Sequence, residues 1–290
     1  MPVREALPRF LPPMLARSEP LPDRTDARWV SEVKWDGIRA QLRIDRGSLT
    51  LRTRPGRNAT REFPELAVLS EALRAHRVLL DGELVCLDNE GRPDFAAVIA
   101  LIAGGHRSAG RPALLQLFDV LHLDGEPVRA LAYQQRRELL TQIGELLPPD
   151  LARVPRTFSN DEDLPGVTFA MGLEGVIAKR LDLPYRPGRR DGTWIKLKHR
   201  RSERLAIIGW RERPGASDEL LVADLDGRPR GWCAFGLPAE TRQSVARAAR
   251  QYGRQRRSAW IAPTPLMLVD VAHHGRPRGG LRDPILKAVD

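Results

Sequence analysis

The stretch Glu32-Val33-Lys34-Trp35-Asp36-Gly37-Ile38-Arg39 places a lysine next to a carboxylate, a glycine and an arginine. It lies within residues 28–54, where apolar and polar residues alternate, and this alternation predicts β-strands joined by tight connections. A lysine followed by Asp-Gly is by itself a weak pattern, because a strand that ends in an Asp-Gly turn with an exposed lysine has the same sequence. The rest of the chain must decide between an exposed Lys34 and a functional one.

Lysine is rare in this chain, which makes each lysine informative. Of the 47 basic residues, only five are lysine. They are Lys34, Lys179, Lys196, Lys198 and Lys287. A lysine amine can lose its proton and become a nucleophile, which a guanidinium cannot, and an ammonium is a more compact point charge for phosphate than a guanidinium. We therefore expect chemistry at the isolated Lys34 and at the pair Lys196 and Lys198.

Three further stretches add carboxylates and cations. Asp81-Gly82-Glu83 follows an apolar run, and Glu174-Gly175 begins a run that ends at Lys179. In Trp194-Ile195-Lys196-Leu197-Lys198 the period-two spacing puts both ammonium groups on one face of a strand. Two convergent ammonium groups could hold a phosphate, and two nearby carboxylates could hold Mg²⁺. Each carboxylate taken alone is more often a turn or surface residue.

In this order, the stretches resemble the nucleotidyltransferase motifs of ATP-dependent DNA ligases, over most of residues 28–198. Thr53-Arg54-Pro55-Gly56-Arg57, Leu117-Phe118-Asp119-Val120-Leu121 and Tyr185-Arg186-Pro187-Gly188-Arg189-Arg190 are similar to further motifs of that family. The resemblance implies that Lys34 is the nucleophile and that Lys196 and Lys198 assist it. The implied nucleotide-binding residues are Glu32, Arg39, Arg54, Glu83, Phe118, Lys179 and Arg190. Glu174 and Glu83 are the implied ligands of Mg²⁺ or Mn²⁺.

The resemblance also gives individual roles to three of these side chains. Phe118 would stack on the adenine of ATP, Arg54 would contact the phosphate of a nick, and Arg190 would reach the phosphate of the nucleotide. Simpler interpretations stay open at this point. Phe118 could be a core aromatic on a buried strand, and Arg39 and Arg54 could be solvated charges on strands.

The resemblance and the pattern together predict an α+β protein of two domains. Residues 1–199 would form an adenylylation domain of the nucleotidyltransferase type, with ATP-grasp-like antiparallel sheets and helices. Residues 200–290, with four or five strands and one helix from about 238 to 252, fit a small β-barrel of the OB-fold type that binds DNA. Residues 1–26 are rich in Pro and Arg, which predicts an extended segment that runs over the surface.

Composition and charge exclude several classes of protein. The 290 residues are 42% hydrophobic, no stretch approaches the roughly 20 apolar residues of a membrane helix, and two distant cysteines match no zinc or redox spacing. The N-terminus lacks a secretory signal, so we expect a cytoplasmic protein. The net charge is +10, and residues 199–290 hold 17 basic and 10 acidic residues. This excess predicts a polyanion-binding module, although a general preference for arginine would give a similar balance.

The predicted function is that of an ATP-dependent DNA ligase. It would seal nicks in duplex DNA through a lysyl-AMP intermediate, with ATP and Mg²⁺ or Mn²⁺ as cofactors. We expect a monomer that acts in DNA repair, with end-joining or repair proteins as partners and no membrane association. The alternatives are an RNA ligase, a GTP-dependent capping-type nucleotidyltransferase, and a nucleic-acid-binding relative whose self-adenylylation is impaired.

The C-terminal stretch departs from the family pattern. These ligases usually carry a short basic motif of the type Arg-x-Asp-Lys on the barrel, and it orients the leaving pyrophosphate. Here Leu281-Arg282-Asp283-Pro284 is followed by Ile285-Leu286-Lys287-Ala288-Val289-Asp290, without that motif. Arg282 or Lys287 are the cations that could substitute for it.

Overall fold

The computed structural model describes residues 5–103, 112–274 and 280–288. The chain folds as two compact units, Met1–Lys198 and His199–Asp290. Both units combine helices with mostly antiparallel sheets, which confirms the predicted α+β class. Among the described residues, no helix has the length and apolar character required to cross a bilayer.

The first unit contains two sheets. The four-stranded sheet has the order β7-β1-β8-β9, and all of its pairs are antiparallel. Its strands are β1 (Trp29–Lys34), β7 (Phe158–Ser159), β8 (Gly175–Arg180) and β9 (Trp194–Lys198). The five-stranded sheet has the order β3-β2-β4-β5-β6, in which only β5 and β6 pair in parallel. Its strands are β2 (Ile38–Asp45), β3 (Ser48–Thr53), β4 (Arg77–Val85), β5 (Leu114–Leu123) and β6 (Ala152–Arg153).

The described residues of the first unit include four α-helices, and the main core of this unit lies against the five-stranded sheet. The helices are α1 (Val68–Ala72), α2 (Phe95–Ile102), α3 (Tyr133–Glu145) and α4 (Leu164–Ala170), with 3-10 turns at Thr60–Glu62, Pro64–Ala67 and Val128–Ala130. Asp94 caps α2, because its side chain accepts a hydrogen bond from the backbone N–H of Ala97. In α3, Leu140 and Ile143 point into the same core as Leu42, Leu80 and Leu115 of the sheet.

The N-terminal segment corrects one prediction. It has almost no regular structure, as an extended segment should, but it does not simply run over the surface. Leu7 and Met14 are 5% and 0% exposed and form a small core with Tyr185 and Trp194. The two apolar side chains are dispersed among prolines and arginines, so composition alone hides their burial.

The second unit is one seven-stranded sheet with a helix packed against it. Its strands are β10 (Arg201–Arg211), β11 (Glu219–Ala223), β12 (Pro229–Cys233), β13 (Arg254–Arg256), β14 (Ala259–Ile261), β15 (Met267–His273) and β16 (Ile285–Ala288), and its helix is α5 (Ala239–Tyr252). The long β10 pairs with β11, β14 and β15. Near the edges of the sheet, hydrogen bonds join Leu281 to Arg230 and Leu286 to Phe235. The sequence did not predict β13, β14 and β16, each of which has only three or four residues.

Candidate active site

Strand register brings three predicted residues to one end of the four-stranded sheet. Lys34, the last residue of β1, lies opposite Gly175 on β8, and Gly175 lies opposite Lys198 on β9. Directly opposite residues on paired strands have their Cβ positions about 5 Å apart. Lys34 and Lys198 therefore flank Gly175 on its two sides, next to Glu174, although the three residues are far apart in the sequence.

Glu174 bridges the two lysines. One of its carboxylate oxygens accepts a hydrogen bond from Lys34 Nζ at 2.5 Å, and the other pairs with Lys198 Nζ at 2.8 Å. Burial by itself would raise the pKa of Glu174, but Lys34 and Lys198 outweigh it and hold the pKa below its usual range. Without substrate, Lys34 Nζ is thus engaged by the Glu174 carboxylate.

Gly175 is required for this arrangement. Its φ of +150° is unusual for residues with a side chain, and a Cβ at this position would collide with the carbonyl oxygen of Leu197 on β9. The glycine allows β8 to approach β9 closely, directly after Glu174. The Glu-Gly pair in the sequence is therefore a geometric requirement of the site.

Lys196 lies in a region of concentrated positive charge. Burial lowers its pKa, and repulsion from Arg190, Lys198, Lys34 and Arg54 lowers it further. Arg190 and Arg54 are exposed, so their side chains can reach a ligand. In the part of the chain that the structure describes, no carboxylate forms an ion pair with Lys196, Arg190 or Arg54. A group of cations that repel one another is suited to the phosphates of a nucleotide.

Arg39 is held rigidly rather than solvated, so the alternative of a solvated strand charge is wrong for this residue. Its guanidinium forms two hydrogen bonds with the Asp81 carboxylate, at 3.1 and 2.7 Å, and a third with the carbonyl oxygen of Met14 at 2.5 Å. The Tyr185 hydroxyl donates to Asp81 at 2.6 Å and accepts a hydrogen bond from the Met14 N–H at 2.9 Å. The N-terminal segment, β2, β4 and the 185–190 loop therefore meet at Arg39.

Glu83 lies opposite Arg39 on β4, with its carboxyl in a partly buried position. Burial raises the pKa of Glu83 to about 8, and the nearby carboxylates of Glu174 and Asp81 raise it while Lys34 and Arg39 oppose them. At neutral pH the protein alone therefore holds much of Glu83 in the protonated form. A cation placed between Glu83 and Glu174 would remove this repulsion.

Lys179 of β8 and Glu32 of β1 form a buried ion pair within the four-stranded sheet. Lys179 Nζ lies 2.8 Å from the Glu32 carboxylate and donates to the carbonyl oxygen of Phe118 at 3.1 Å. It also lies 4.5 Å from the ring centroid of Trp194 and 4.6 Å from that of Phe118. The Tyr133 hydroxyl donates to the other Glu32 oxygen. Burial lowers the pKa of Lys179, although the Glu32 carboxylate opposes that effect.

Phe118 is only partly buried, and its ring stands edge-on to Trp194 with a centroid distance of 5.8 Å. It is therefore not a wholly enclosed core aromatic. The next residue, Asp119, forms a fully buried ion pair with Arg136 of α3. This pair fixes the backbone of β5 directly next to Phe118.

A family profile described as the ATP dependent DNA ligase domain matches residues 13–198. The chain belongs to this family. The match covers every site residue described above, from Met14 to Lys198. The ligase domain is thus the part of the chain that brings the predicted lysines together.

Several relatives of this ligase domain are known. The multifunctional non-homologous end joining DNA repair protein LigD of Mycobacterium tuberculosis is 37% identical over 233 residues, which are 76% of this chain and 28% of that protein. LigD of Pseudomonas aeruginosa is 38% identical over 211 residues, which are 72% of this chain and 24% of that protein. The chain therefore spans about a quarter of the length of these relatives.

Two solved structures are similar over nearly the whole chain. The structure of a mycobacterial DNA ligase D complexed with ATP and MES is 29% identical, with a TM-score of 0.61 over 97% of this chain and 96% of that one. A Lig E DNA ligase is 19% identical with a TM-score of 0.61, covers 96% of this chain and 98% of that one, and shows a shared fold. The ligase domain thus has the nucleotidyltransferase-type DNA ligase fold.

Sequence reasoning missed four side chains that support the ligase site. Asp81 belongs to the stretch Asp81-Gly82-Glu83, in which the resemblance implies a role for Glu83 alone, and Met14 belongs to a segment expected at the surface. Tyr185 and Tyr133 are two of only three tyrosines in the chain, and that rarity was the signal that could have singled them out. Their roles depend on contacts over 100 residues or more of sequence, which no local pattern shows.

The C-terminal cations lie in the second unit. Lys287 is exposed on β16 and lies opposite Asp270 of β15, while Arg282 is partly buried in the preceding loop. Val289 and Asp290 lie outside the described residues. The proposed substitution of the missing basic motif by Arg282 or Lys287 stays a prediction.

Proposed function

We propose that this chain is a DNA ligase that seals nicks in duplex DNA through an AMP-bearing Lys34, and that it acts in repair by end joining. The single observation that carries this proposal is the juxtaposition of Lys34, Glu174 and Lys198 next to the unpaired cations around Lys196. The names of the relatives, which are end-joining repair proteins, support the biological setting. A cytoplasmic location, a monomeric state and partners among repair proteins stay predictions.

The two units would divide the work. Residues 1–199 would form the adenylylation domain, which carries all of the proposed catalytic residues. Residues 200–290 would form an OB-fold domain that contacts DNA. The hydrogen bonds that link β12 and its following loop to residues 281 and 286 support a barrel, because they connect opposite edges of the sheet.

In the first step, Lys34 must exchange its pairing with Glu174 for the α-phosphate of ATP. Its Nζ, after releasing a proton, attacks the α-phosphorus, and the bond to pyrophosphate breaks as the N–P bond forms. AMP is then transferred from Lys34 to the 5′-phosphate of the nick. The 3′-hydroxyl finally displaces AMP and seals the strand.

The cations around Lys34 would stabilise the charge on the transferred phosphate. Lys196 and Lys198 project from the same face of β9, and Arg190 reaches the same region from its loop. Arg54 would hold the phosphate of the nick. Because the protein supplies little covalent chemistry beyond Lys34, alignment and charge neutralisation should account for most of the rate.

The base and ribose of ATP would bind beside β1, β2 and β5. Phe118 presents a ring that can stack on adenine, and Glu32 and Lys179 offer an acceptor and a donor to its polar edge. Arg39 and Glu83, opposite each other, would contact the ribose and phosphate. The ion pair with Asp81 holds Arg39 in place before ATP arrives.

Glu83 and Glu174 form a donor set that fits a hard divalent cation. Carboxylate oxygens suit Mg²⁺ or Mn²⁺, and such an ion takes its other ligands from phosphate and water. Among the described residues, no group of three or more Asp, Glu, His or Cys could hold a metal ion, so Glu83 and Glu174 by themselves would not complete the coordination of such an ion. When bound, the ion would neutralise phosphate charge; Glu83 and Glu174 would then both be ionised.

The first test is the intact mass of the protein after incubation with ATP and Mg²⁺. We expect wild type to gain one AMP, Lys34→Ala to gain none, and Arg228→Ala to behave as wild type because Arg228 is an exposed residue of the second unit that pairs with Asp226. Pyrophosphate should remove the added mass. A gain in the Lys34→Ala protein contradicts the assignment, and a gain from GTP instead of ATP favours a capping-type enzyme.

A further inference from the structure

The second unit contains a wide cleft that the proposed function does not use. It has a volume of about 810 Å³ and lies between α5 and residues 212–218, which follow β10. The charged and aromatic residues that line it are Trp210, Glu212, Asp218, Phe235, Arg242, Arg247 and Arg250. Three of these are arginines on the one helix of this unit.

The arginines of the cleft continue into a larger basic surface. Residues 239–257 contain six arginines and one acidic residue, Glu240. The six are Arg242, Arg247, Arg250, Arg254, Arg256 and Arg257. None of them forms an ion pair with any carboxylate that the structure describes. In contrast, Arg204 and Arg228 elsewhere in this unit pair with Asp270 and Asp226. The α5 arginines therefore have no carboxylate partner among the described residues.

Aromatic side chains lie among these arginines. Phe235 is 67% exposed at the edge of the cleft. The guanidinium of Arg250 lies over the ring of Trp210, 4.3 Å from its centroid. Trp210 is itself oriented, because its Nε1–H donates to Asp218 at 3.0 Å. The cleft thus offers an open ring for stacking beside an oriented cation.

The loop that carries Phe235 is fixed in place. The carbonyl oxygen of Phe235 accepts a hydrogen bond from Leu286 at 3.0 Å, and Arg242 donates to the carbonyl oxygen of Ala234 at 2.9 Å. Gly236 has a φ of +112°, and a Cβ there would collide with the backbone of Leu286. The other terminal nitrogen of Arg242 is buried without a hydrogen-bond partner. The cleft is therefore largely formed before any ligand binds.

We propose that this cleft binds single-stranded DNA, such as an unpaired strand next to the site of joining. The phosphates would lie along Arg242, Arg247 and Arg250, which span roughly 12 Å of helix, and a base would stack on Phe235. An acidic protein segment would satisfy the arginines but would leave the exposed ring without a role. The planar guanidinium groups are well matched to phosphate. The proposal rests on the proposed function only in taking DNA as the polyanion.

The test measures binding of fluorescent oligo(dT) to the full chain across a range of salt concentrations. We expect Arg247→Ala/Arg250→Ala to weaken binding about tenfold or more and to reduce the slope of log K against log salt by about 1.4, since two phosphate contacts are lost. Phe235→Ala should weaken binding about fivefold or more without changing that slope, because stacking does not release counterions.

The matched control is Arg204→Ala/Arg228→Ala, which removes the same charge from exposed, acid-paired positions of the same unit. An equal loss of binding in this control would overturn the proposal, as would unchanged oligo(dT) binding in the cleft variants. Competition by polyglutamate together with no binding of oligo(dT) would indicate an acidic protein ligand instead. An equal loss for oligo(dT) and for an unnicked duplex would make the cleft a duplex-binding surface.

Formation of the Lys34 adduct is followed in parallel for the wild-type protein. If that adduct fails to form while oligo(dT) still binds through the cleft, the proposed function fails and the cleft proposal stands. If the adduct forms and the cleft variants bind oligo(dT) as wild type does, the proposed function stands and the cleft proposal fails. The melting temperature of each variant shows whether the second unit remains folded.

Discussion

Glu83 shows how a single side chain can carry an electrostatic cost. Its carboxyl is partly buried near Glu174 and Asp81, and burial raises its pKa to about 8. Attraction to the cations Lys34 and Arg39 lowers the pKa of Glu83, but by less than burial raises it. A site that penalises a carboxylate in the free protein is ready to receive a cation with its substrate.

The stability of the free protein should therefore depend on Glu83 ionisation. Because the folded-state pKa is raised from 4.5 to about 8, its contribution is full below pH 4.5 and is lost as the pH rises towards 8. Relative to Glu83→Gln, the unfolding free energy of wild type should fall by about 1.4 kcal/mol per pH unit within that window.

This difference is measured by urea unfolding of both proteins in EDTA at a series of pH values. Groups distant from Glu83 contribute alike to the two proteins, so the difference reports the Glu83 carboxyl together with the charges that interact with it. Parallel pH profiles for wild type and Glu83→Gln would contradict a raised pKa at this position.

The element that does most to organise the site is the irregular N-terminal segment. Its backbone bonds to β9 and to the 185–190 loop through Arg17, Leu15 and Pro12. Met14 adds hydrogen bonds to Tyr185 and Arg39, and its side chain lies in the small core with Trp194. A segment without regular structure thus fixes the positions of β9 and the 185–190 loop.

Truncation of Met14 should be costly. Met14→Ala removes a fully buried side chain and should lower the unfolding free energy by about 2–5 kcal/mol, because the tightly packed surroundings leave a cavity. The matched control is Met171→Ala, since Met171 is 57% exposed and its truncation should change stability by less than about 0.5 kcal/mol. Chemical denaturation of both variants makes the comparison; equal effects would show that the segment is not docked.

Charge is distributed unevenly over the whole molecule. The first unit is nearly balanced, whereas residues 199–290 carry 17 basic against 10 acidic residues. An excess of this kind acts at long range on a polyanion and does not read base sequence. Binding of a nicked duplex should therefore depend strongly on salt and weakly on sequence.

If about four DNA phosphates are neutralised, log K should fall with log salt with a slope of about −3.6. Affinity for a nicked duplex would then weaken roughly a hundredfold between about 50 and 200 mM salt. Fluorescence anisotropy with two nicked duplexes of unrelated sequence measures both the slope and the sequence dependence. A flat salt profile would show that phosphate contacts contribute little to the complex.

The sequence by itself determined the chemical groups of this protein and their local geometry. Period-two spacing put Lys196 and Lys198 on one face of β9, and the scarcity of lysine directed attention to Lys34. The order of the motifs predicted the ligase family and the α+β class. These are properties of neighbouring residues, which strand periodicity and residue chemistry govern directly.

Only the tertiary structure decided which of these groups meet. Strand register joined Lys34 to Glu174 and Lys198, and long-range packing placed Met14, Asp81 and Tyr185 around Arg39. It also gathered the α5 arginines and Phe235 around one cleft. Contacts between residues distant in the chain depend on register, burial and packing of the whole domain, and no short pattern of residues encodes those by itself.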